Sequence, residues 1–185
     1  EDWDNLVSYT VYHGWAGLEA LSGIPGLCGA APVQNIGAYG QEISNVLSSV
    51  GAYDTNTGTL VELKNSSCKF RYRDSIFKSS QKGRYIITSI TLQLSTQPPS
   101  IPEYEDVRRY MLEHNISQPT LSELRDAILE IRKTKFADPK TIPNSGSFFG
   151  NPIVSSSKAA QLKRDFPNIR MFEQEDDTYK VYAGW

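Results

Sequence analysis

Apolar residues recur at two spacings along this chain, in segments set apart by stretches rich in glycine, proline and polar residues. Residues 3–13 carry Trp3, Leu6, Val7, Tyr9, Val11 and Tyr12; Leu6 and Val7 stand three to four residues from Trp3 and Val11, which predicts a helix. Val46 to Tyr53 and Thr59 to Leu63 are apolar-rich runs joined by Asp54-Thr55-Asn56-Thr57-Gly58, a polar, Gly-ended linker that predicts a β-hairpin. Cys68-Lys69-Phe70-Arg71-Tyr72-Arg73 alternates apolar and cationic residues, as a strand with Cys68, Phe70 and Tyr72 on one face would. The cleanest alternation runs from Ile86 to Leu94. Its even positions read Ile86, Thr88, Ile90, Leu92, Leu94 and its odd ones Ile87, Ser89, Thr91, Gln93, a strand with one wet face.

The character changes at Ser95-Thr96-Gln97-Pro98-Pro99-Ser100-Ile101-Pro102, where the prolines forbid an interior strand. Glu103 to His114 and Leu121 to Lys133 then read as helices. The second opens on a Thr120-x-x-Glu123 capping box and repeats Leu121, Leu124, Ala127/Ile128 and Ile131 along one stripe. Asp138-Pro139 and Ile142-Pro143-Asn144-Ser145-Gly146 mark a further break. Ser156 to Phe166 reads as a helix ended at Pro167, and Tyr179 to Tyr182 as a strand. The predicted class is α+β.

The pattern breaks down most completely between Gly14 and Gly40, which holds seven of the chain's 13 glycines together with Pro25 and Pro32. Such a run propagates neither helix nor strand, because glycine loses the most backbone entropy on ordering and proline lacks an N–H. Two uses fit. The run is either an irregular packed connection, or a place where amides at Gly23, Gly26, Gly29, Gly37 and Gly40 approach a flat or anionic ligand closely. It contains neither G-x-x-x-x-G-K-[ST] nor G-x-G-x-x-G after a strand. His13, just before Gly14, reads as a capping or packing residue, since a metal needs several convergent ligands.

Composition narrows the class. The 185 residues are 39% hydrophobic with mean hydropathy −0.42, a soluble globular profile with room for one domain or two small ones. Nineteen basic and 21 acidic residues leave a net charge of −2, and the one cationic cluster, Lys69, Arg71, Arg73 and Lys78, is short and interrupted by Asp74, so no nucleic-acid partner is expected. Cys28 and Cys68 form no C-x-x-C pair and read as buried reduced thiols; no metal site is expected. No apolar run reaches membrane-spanning length and the start, Glu1-Asp2-Trp3-Asp4, is acidic, so the expected location is cytoplasmic, with no membrane partner.

Three segments carry a resemblance. Gly17-Leu18-Glu19, Ile24-Pro25-Gly26 and Pro32-Val33-Gln34-Asn35-Ile36-Gly37-Ala38-Tyr39-Gly40 together resemble the flavin-binding segment of the MurB family, the UDP-N-acetylenolpyruvoylglucosamine reductases. Tyr72-Arg73-Asp74-Ser75-Ile76-Phe77-Lys78 and Gly146-Ser147-Phe148-Phe149-x-Asn151-Pro152 resemble two further segments of that family, in the same order. The resemblance implies a monomeric flavoprotein oxidoreductase of peptidoglycan precursor synthesis: NADPH reduces FAD, and the enolpyruvyl ether of a UDP-sugar is then reduced to UDP-N-acetylmuramate. It implies a partial FAD-binding, PCMH-like α+β domain over residues 1–136, followed over 137–185 by the start of a small α+β substrate-binding domain.

By the same resemblance Arg73 is a catalytic cation and Ser147 the proton donor. Negative charge develops on the substrate carboxylate and its α-carbon, and a planar guanidinium can grip a carboxylate through two bonds. The cofactor-binding set is Ile24, Pro25, Ala30, Ala31, Gly37, Tyr39 and Arg73; the substrate-binding set is Tyr104, Lys135 and Asn151. Ala30-Ala31 departs from the serine-rich wording common there, so backbone amides are expected to serve the flavin. Taken without the resemblance, Arg73 fits a solvated strand face, Ser147 a turn hydroxyl and Tyr104 a helix-cap contact. The chain starts and stops inside the family's limits, which predicts an incomplete enzyme of weak or no activity by itself. Two alternatives are another flavoprotein of similar architecture, such as an oxidase, and a non-catalytic module that binds a nucleotide-sugar or a partner chain.

Overall fold

Helix α1 (Trp3–Tyr12) begins where a carboxylate can hold its free amides: Asp2 accepts from the amides of Asp4 and Asn5, and His13 closes the other end, its ring Nδ1 2.8 Å from the Tyr9 carbonyl oxygen. Trp3 and Val7 point into the core, and the Trp3 indole donates to the Leu21 carbonyl at 3.1 Å. The computed structural model describes residues 1–135, 141–143, 149–174 and 176–183. The chain divides into two units, Glu1–Phe136 and Ala137–Trp185.

In the first unit, α1 leads through a 3-10 turn (Glu19–Leu21) into the glycine-rich segment, which ends in the two-residue strands β1 (Gly37–Ala38) and β2 (Gln41–Glu42). A three-stranded antiparallel sheet follows. Strand β3 (Leu47–Asp54) lies between β4 (Thr59–Lys64) and β5 (Tyr85–Leu92), β3 and β4 forming the predicted hairpin. Trp3, Val7, Leu18, Leu21, Ile43, Leu47, Val50 and Cys68 are buried together beneath it.

The structure departs from the alternation in two places. In β5, Gly51 pairs with Ser89 and Ala52 with Ile87, so Thr88 is an extra residue. That bulge turns the strand over: Ile87, Ile90, Leu92 and Leu94 pack against the core, while Ile86 is 59% exposed. Residues 68–73 are not a strand. Asn65–Cys68 forms a single helical turn, α2, stopped by Lys69 in the left-handed conformation (φ 50°), and Arg71 and Asp74 then exchange both backbone hydrogen bonds in a tight turn. An alternating pattern names faces but supplies no ladder partner, and here the Cys68 carbonyl accepts from Ile76 instead. Cys68 is still buried, and burial alone pushes its thiol up to about 11, so it stays protonated; Cys28 is only half-buried, unlike the expectation.

Helices α3 (Glu105–Glu113) and α4 (Leu121–Lys135) form an antiparallel pair with its own core of Val107, Met111, Leu124, Ala127, Ile128 and Ile131. The capping box at Thr120 and Glu123 is made in both directions. The pair is fastened to α1 by charge: Arg125 grips Asp4 through two hydrogen bonds of 2.7 and 2.8 Å, and the Gly23 amide donates to the same carboxylate at 2.6 Å. Gly23 has φ +69°, which favours glycine, and a Cβ there would sit 2.9 Å from Leu129 Cδ2, so any side chain would have to push Leu129 aside.

The Arg125 hydrogen bond, helped by the Gly23 amide and opposed by burial, holds the Asp4 carboxyl below its ordinary value of 3.8. Its stabilisation is therefore present above that value and lost as pH falls through the lower folded one. Asp4→Asn is expected to cost about 2 kcal/mol at pH 7. Urea unfolding of both proteins at pH 7 and pH 3 checks this: the gap should narrow at acid pH, and a pH-independent gap would assign the loss to something other than the ion pair.

The second unit is a sheet of order β6 (Ile153–Ser155), β8 (Thr178–Val181), β7 (Met171–Glu173), all antiparallel, with α5 (Ser156–Asp165) between β6 and β7. Ser155 caps α5 by accepting from the Lys158 amide, and Ala159, Ile169 and Val181 are buried. Strands β6 and β7 are three residues each, too short to show a period. The architecture is α+β, and no described helix is long and apolar enough to cross a membrane.

Candidate functional site

Between Gly23 and Gly40 the backbone runs as successive turns laid over the first core. Ile24 is half-buried against that core, whereas Pro25, Gly26 and Leu27 face outward. Gly26 and Gly40, both at positive φ, have open space where a side chain would be, so the backbone there is uncovered. The Ala30–Ala31 turn works differently from its expectation. The Ala30 amide donates to Leu27, the Ala31 amide donates to Leu27 and Cys28, and the Ala31 methyl is buried. Backbone amides at these two positions are engaged within the turn, and the exposed Ala30 methyl is the surface they offer.

Arg73 is held from the same segment. It sits at φ 52°, a conformation costing a non-glycine residue about 1 kcal/mol, next to the Arg71–Asp74 turn. Its Nη2 donates to the Gly37 carbonyl and its Nη1 to that of Asn35 at 3.4 Å; the guanidinium lies 5.0 Å from the Tyr72 ring centroid. Glu42 forms a long ion pair with it at 4.0 Å, and the Arg73 side chain is 36% exposed, so the guanidinium is held in place with part of its edge open to solvent. A side chain on Gly37 would meet Arg73 Nη1 at 2.9 Å and the Gln41 carbonyl at 2.8 Å, which is why glycine stands where the guanidinium crosses.

Two buried polar residues outside the predicted site set build this arrangement. Asn35, 1% exposed and at φ 46°, donates to Glu42 at 2.6 Å and to the Arg71 carbonyl at 3.1 Å while accepting from the Ser44 amide. Ser75, wholly buried, donates to the Val33 carbonyl at 2.6 Å and accepts from the Phe77 amide. The signal was their place inside the glycine and arginine motifs, because left-handed backbone favours asparagine among side-chain-bearing residues.

Tyr39, two residues past Gly37, lies at φ 49° with its ring packed edge-on against Tyr104 at 5.5 Å. Burial raises the Tyr39 hydroxyl pKa, and the charges of Lys135 and Arg132 partly offset this. Lys135, the last residue of α4, gives its ammonium to Asp106 in the first turn of α3, whose other oxygen accepts from Arg109 at 3.0 Å. Asp106 is accordingly held below the usual carboxylate range, chiefly by that Lys135 hydrogen bond. The fold thus gathers Gly37, Tyr39, Arg73, Tyr104 and Lys135 from four stretches of chain.

Of the remaining candidates, Asn151 precedes β6 by two residues. Asn151 accepts from the Ala183 amide at 3.0 Å, which fixes the orientation of its carboxamide. Ser147 lies outside the described residues. A cleft of about 550 Å³ between Ala16–Glu19, Asn45–Leu47 and Gln93–Ser100 is lined by none of the candidate residues.

Chemically, the first unit presents uncovered backbone at Gly26 and Gly40, an aromatic pair, an aimed guanidinium and a second cation. That set fits a flat, anionic cofactor: planar groups lie on uncovered peptides and tyrosine faces, and diphosphate or carboxylate oxygens meet fixed cations.

Comparison with known proteins gives a consistent result. The UDP-N-acetylenolpyruvoylglucosamine reductase of Neisseria meningitidis serogroup B is 44% identical over 186 residues, covering 100% of this chain and 54% of that protein. Those of Amoebophilus asiaticus and Flavobacterium johnsoniae are 42% and 41% identical, again over the whole chain and 54% and 55% of theirs. The chain spans about half the length of the curated relatives it matches. The crystal structure of UDP-N-acetylenolpyruvylglucosamine reductase (MurB) from Thermus caldophilus superposes with a TM-score of 0.59 at 19% identity, over 97% of this chain and 57% of that one, a likeness of fold. No family model matches the chain.

Proposed function

Because the chain belongs to the UDP-N-acetylenolpyruvoylglucosamine reductase family over the half of those proteins that it spans, we propose that it carries the flavin-facing and part of the nucleotide-sugar-facing machinery of such a reductase. In this reading residues 1–136 are the second subdomain of a PCMH-like FAD-binding domain and 137–185 open the substrate-binding domain of a cytoplasmic, monomeric enzyme of peptidoglycan precursor synthesis. The observation that supports it most is the convergence of Arg73, Gly37 and Tyr39 from the flavin-type segments with Tyr104 and Lys135 from the substrate set.

FAD, when bound, supplies the hydride that NADPH provides for the enolpyruvyl group. Ile24, Pro25, Ala30, Ala31, Gly37 and Tyr39 would hold it, Ala31 by shaping the turn from beneath. Arg73 faces the substrate carboxylate with the guanidinium edge that the Gly37 and Asn35 carbonyls leave free, and stabilises the negative charge that grows there. Lys135 meets the diphosphate as a point charge, Tyr104 covers the nucleotide-sugar and Asn151 binds its hydroxyl groups. Ser147 delivers the proton to the substrate's α-carbon, a role typically worth about 10²–10⁴ in rate.

Titration of the 185-residue chain with FAD, followed by flavin fluorescence, and with UDP-N-acetylglucosamine, followed by calorimetry, tests the reading. Saturable binding of both is expected. Binding of the nucleotide-sugar without FAD would leave a nucleotide-sugar module in place of a flavoenzyme half, and binding of neither would overturn the proposal.

A further inference from the structure

Lys135 is the cation that the proposed function assigns to the substrate diphosphate, yet its ammonium is already occupied by an acid from another helix. Asp106 accepts from Lys135 through Oδ2 and from Arg109 through Oδ1, and it stands in the first turn of α3, where unpaired helix amides favour negative charge. The two partners are therefore unequal. If Lys135 leaves, Asp106 keeps Arg109 and the helix terminus, whereas Lys135 gains a diphosphate of higher charge. Both side chains are partly exposed, 43% for Lys135 and 28% for Asp106, and ion pairs in such settings contribute little, so a diphosphate can replace the carboxylate.

We propose, resting on the reading of Lys135 as a diphosphate ligand, that Asp106 is an internal competitor for the Lys135 ammonium and sets the affinity of this site for nucleotide-sugars. Asp106 is a positioning residue. It holds the ammonium at α3, near enough to Tyr39 to act on its hydroxyl, and lowers the affinity for every anion that must displace it.

The test is calorimetric titration of UDP-N-acetylglucosamine into the 185-residue chain and its Asp106→Asn, Lys135→Met, double and Glu103→Gln variants. Asp106→Asn should bind about three- to tenfold more tightly, the size of gain expected when a partly exposed ion pair no longer has to be broken. The gain should vanish on the Lys135→Met background, a dependence that a merely structural role for Asp106 would not produce. Glu103→Gln removes a neighbouring charge that pairs with Arg108, and should change nothing. Asp106→Ser keeps an oxygen in the first turn of α3 and should reproduce the gain if the asparagine variant fails to fold. Unchanged or weaker binding in the Asp106 variants, together with weakened binding in Lys135→Met, overturns the competitor role and leaves the proposed function standing. An equal gain in Glu103→Gln overturns it in favour of bulk charge. Unaltered affinity in Lys135→Met, or no binding by any variant, removes the reading of Lys135 itself and this inference with it.

Discussion

On the proposed function, Arg73→Lys is expected to leave FAD affinity within a few-fold and to slow reduction of the enolpyruvyl substrate by about tenfold or more, because lysine cannot replace a bidentate guanidinium. The structure shows why the substitution is not conservative. Arg73 uses two nitrogens on the Asn35 and Gly37 carbonyls and presents the rest of the planar group outward. An ammonium making the same two contacts would have one donor left and no plane with which to orient a carboxylate. The backbone cost of φ 52° is the same for both residues, so stability should barely change. Separate measurement of the two half-reactions in a full-length, flavin-loaded reductase that carries this chain decides the matter: flavin reduction by NADPH should be unaffected and its reoxidation by substrate slowed. Equal slowing of both would mean that Arg73 acts through the flavin site and not on the substrate.

Trp3→Ala should be the most destabilising single change in the first unit, at about 3–5 kcal/mol. Trp3 is 1% exposed, so truncation opens a large cavity between α1 and the sheet, and the Leu21 carbonyl loses its indole donor. Against a typical total of about 5–15 kcal/mol, that loss is a large share of stability. Leu21 also introduces the Ser22–Pro25 stretch, so on the proposed function FAD binding should weaken alongside unfolding resistance. Trp3→Phe refills part of the volume without the hydrogen bond and should fall between. Urea denaturation of the three proteins measures the order; a Trp3→Ala loss under about 1 kcal/mol would show that the site collapses around the deletion, against the usual behaviour of rigid cores.

Several elements were legible because their causes are local. Helices α1 and α4 carry their caps and apolar stripes within a few residues, and the β3–β4 hairpin carries its polar linker. The Cys68–Arg73 stretch departs from its pattern for the opposite reason: alternation is local, but the ladder partner a strand needs is not. The bulge at Thr88 likewise changes which isoleucine is buried without leaving any mark on composition. For the site, the glycine and arginine motifs pointed to Gly37 and Arg73 separately, yet nothing in them says that one receives a hydrogen bond from the other, 36 positions along the chain.

What the sequence by itself determined, then, is the set of elements with local causes, the α+β class, and the membership of Arg73, Tyr39, Tyr104 and Lys135 among the candidate residues. The tertiary structure alone decided how they are used. It brought Arg125 to Asp4 across 121 positions to pin the Gly23 turn, laid Tyr39 against Tyr104, and set Asp106 on Lys135. The physical reason is range. Capping and periodicity act within a turn or two of chain and can be read in order, whereas ion pairs, ring contacts and steric fits depend on distances that only packing of the whole core establishes.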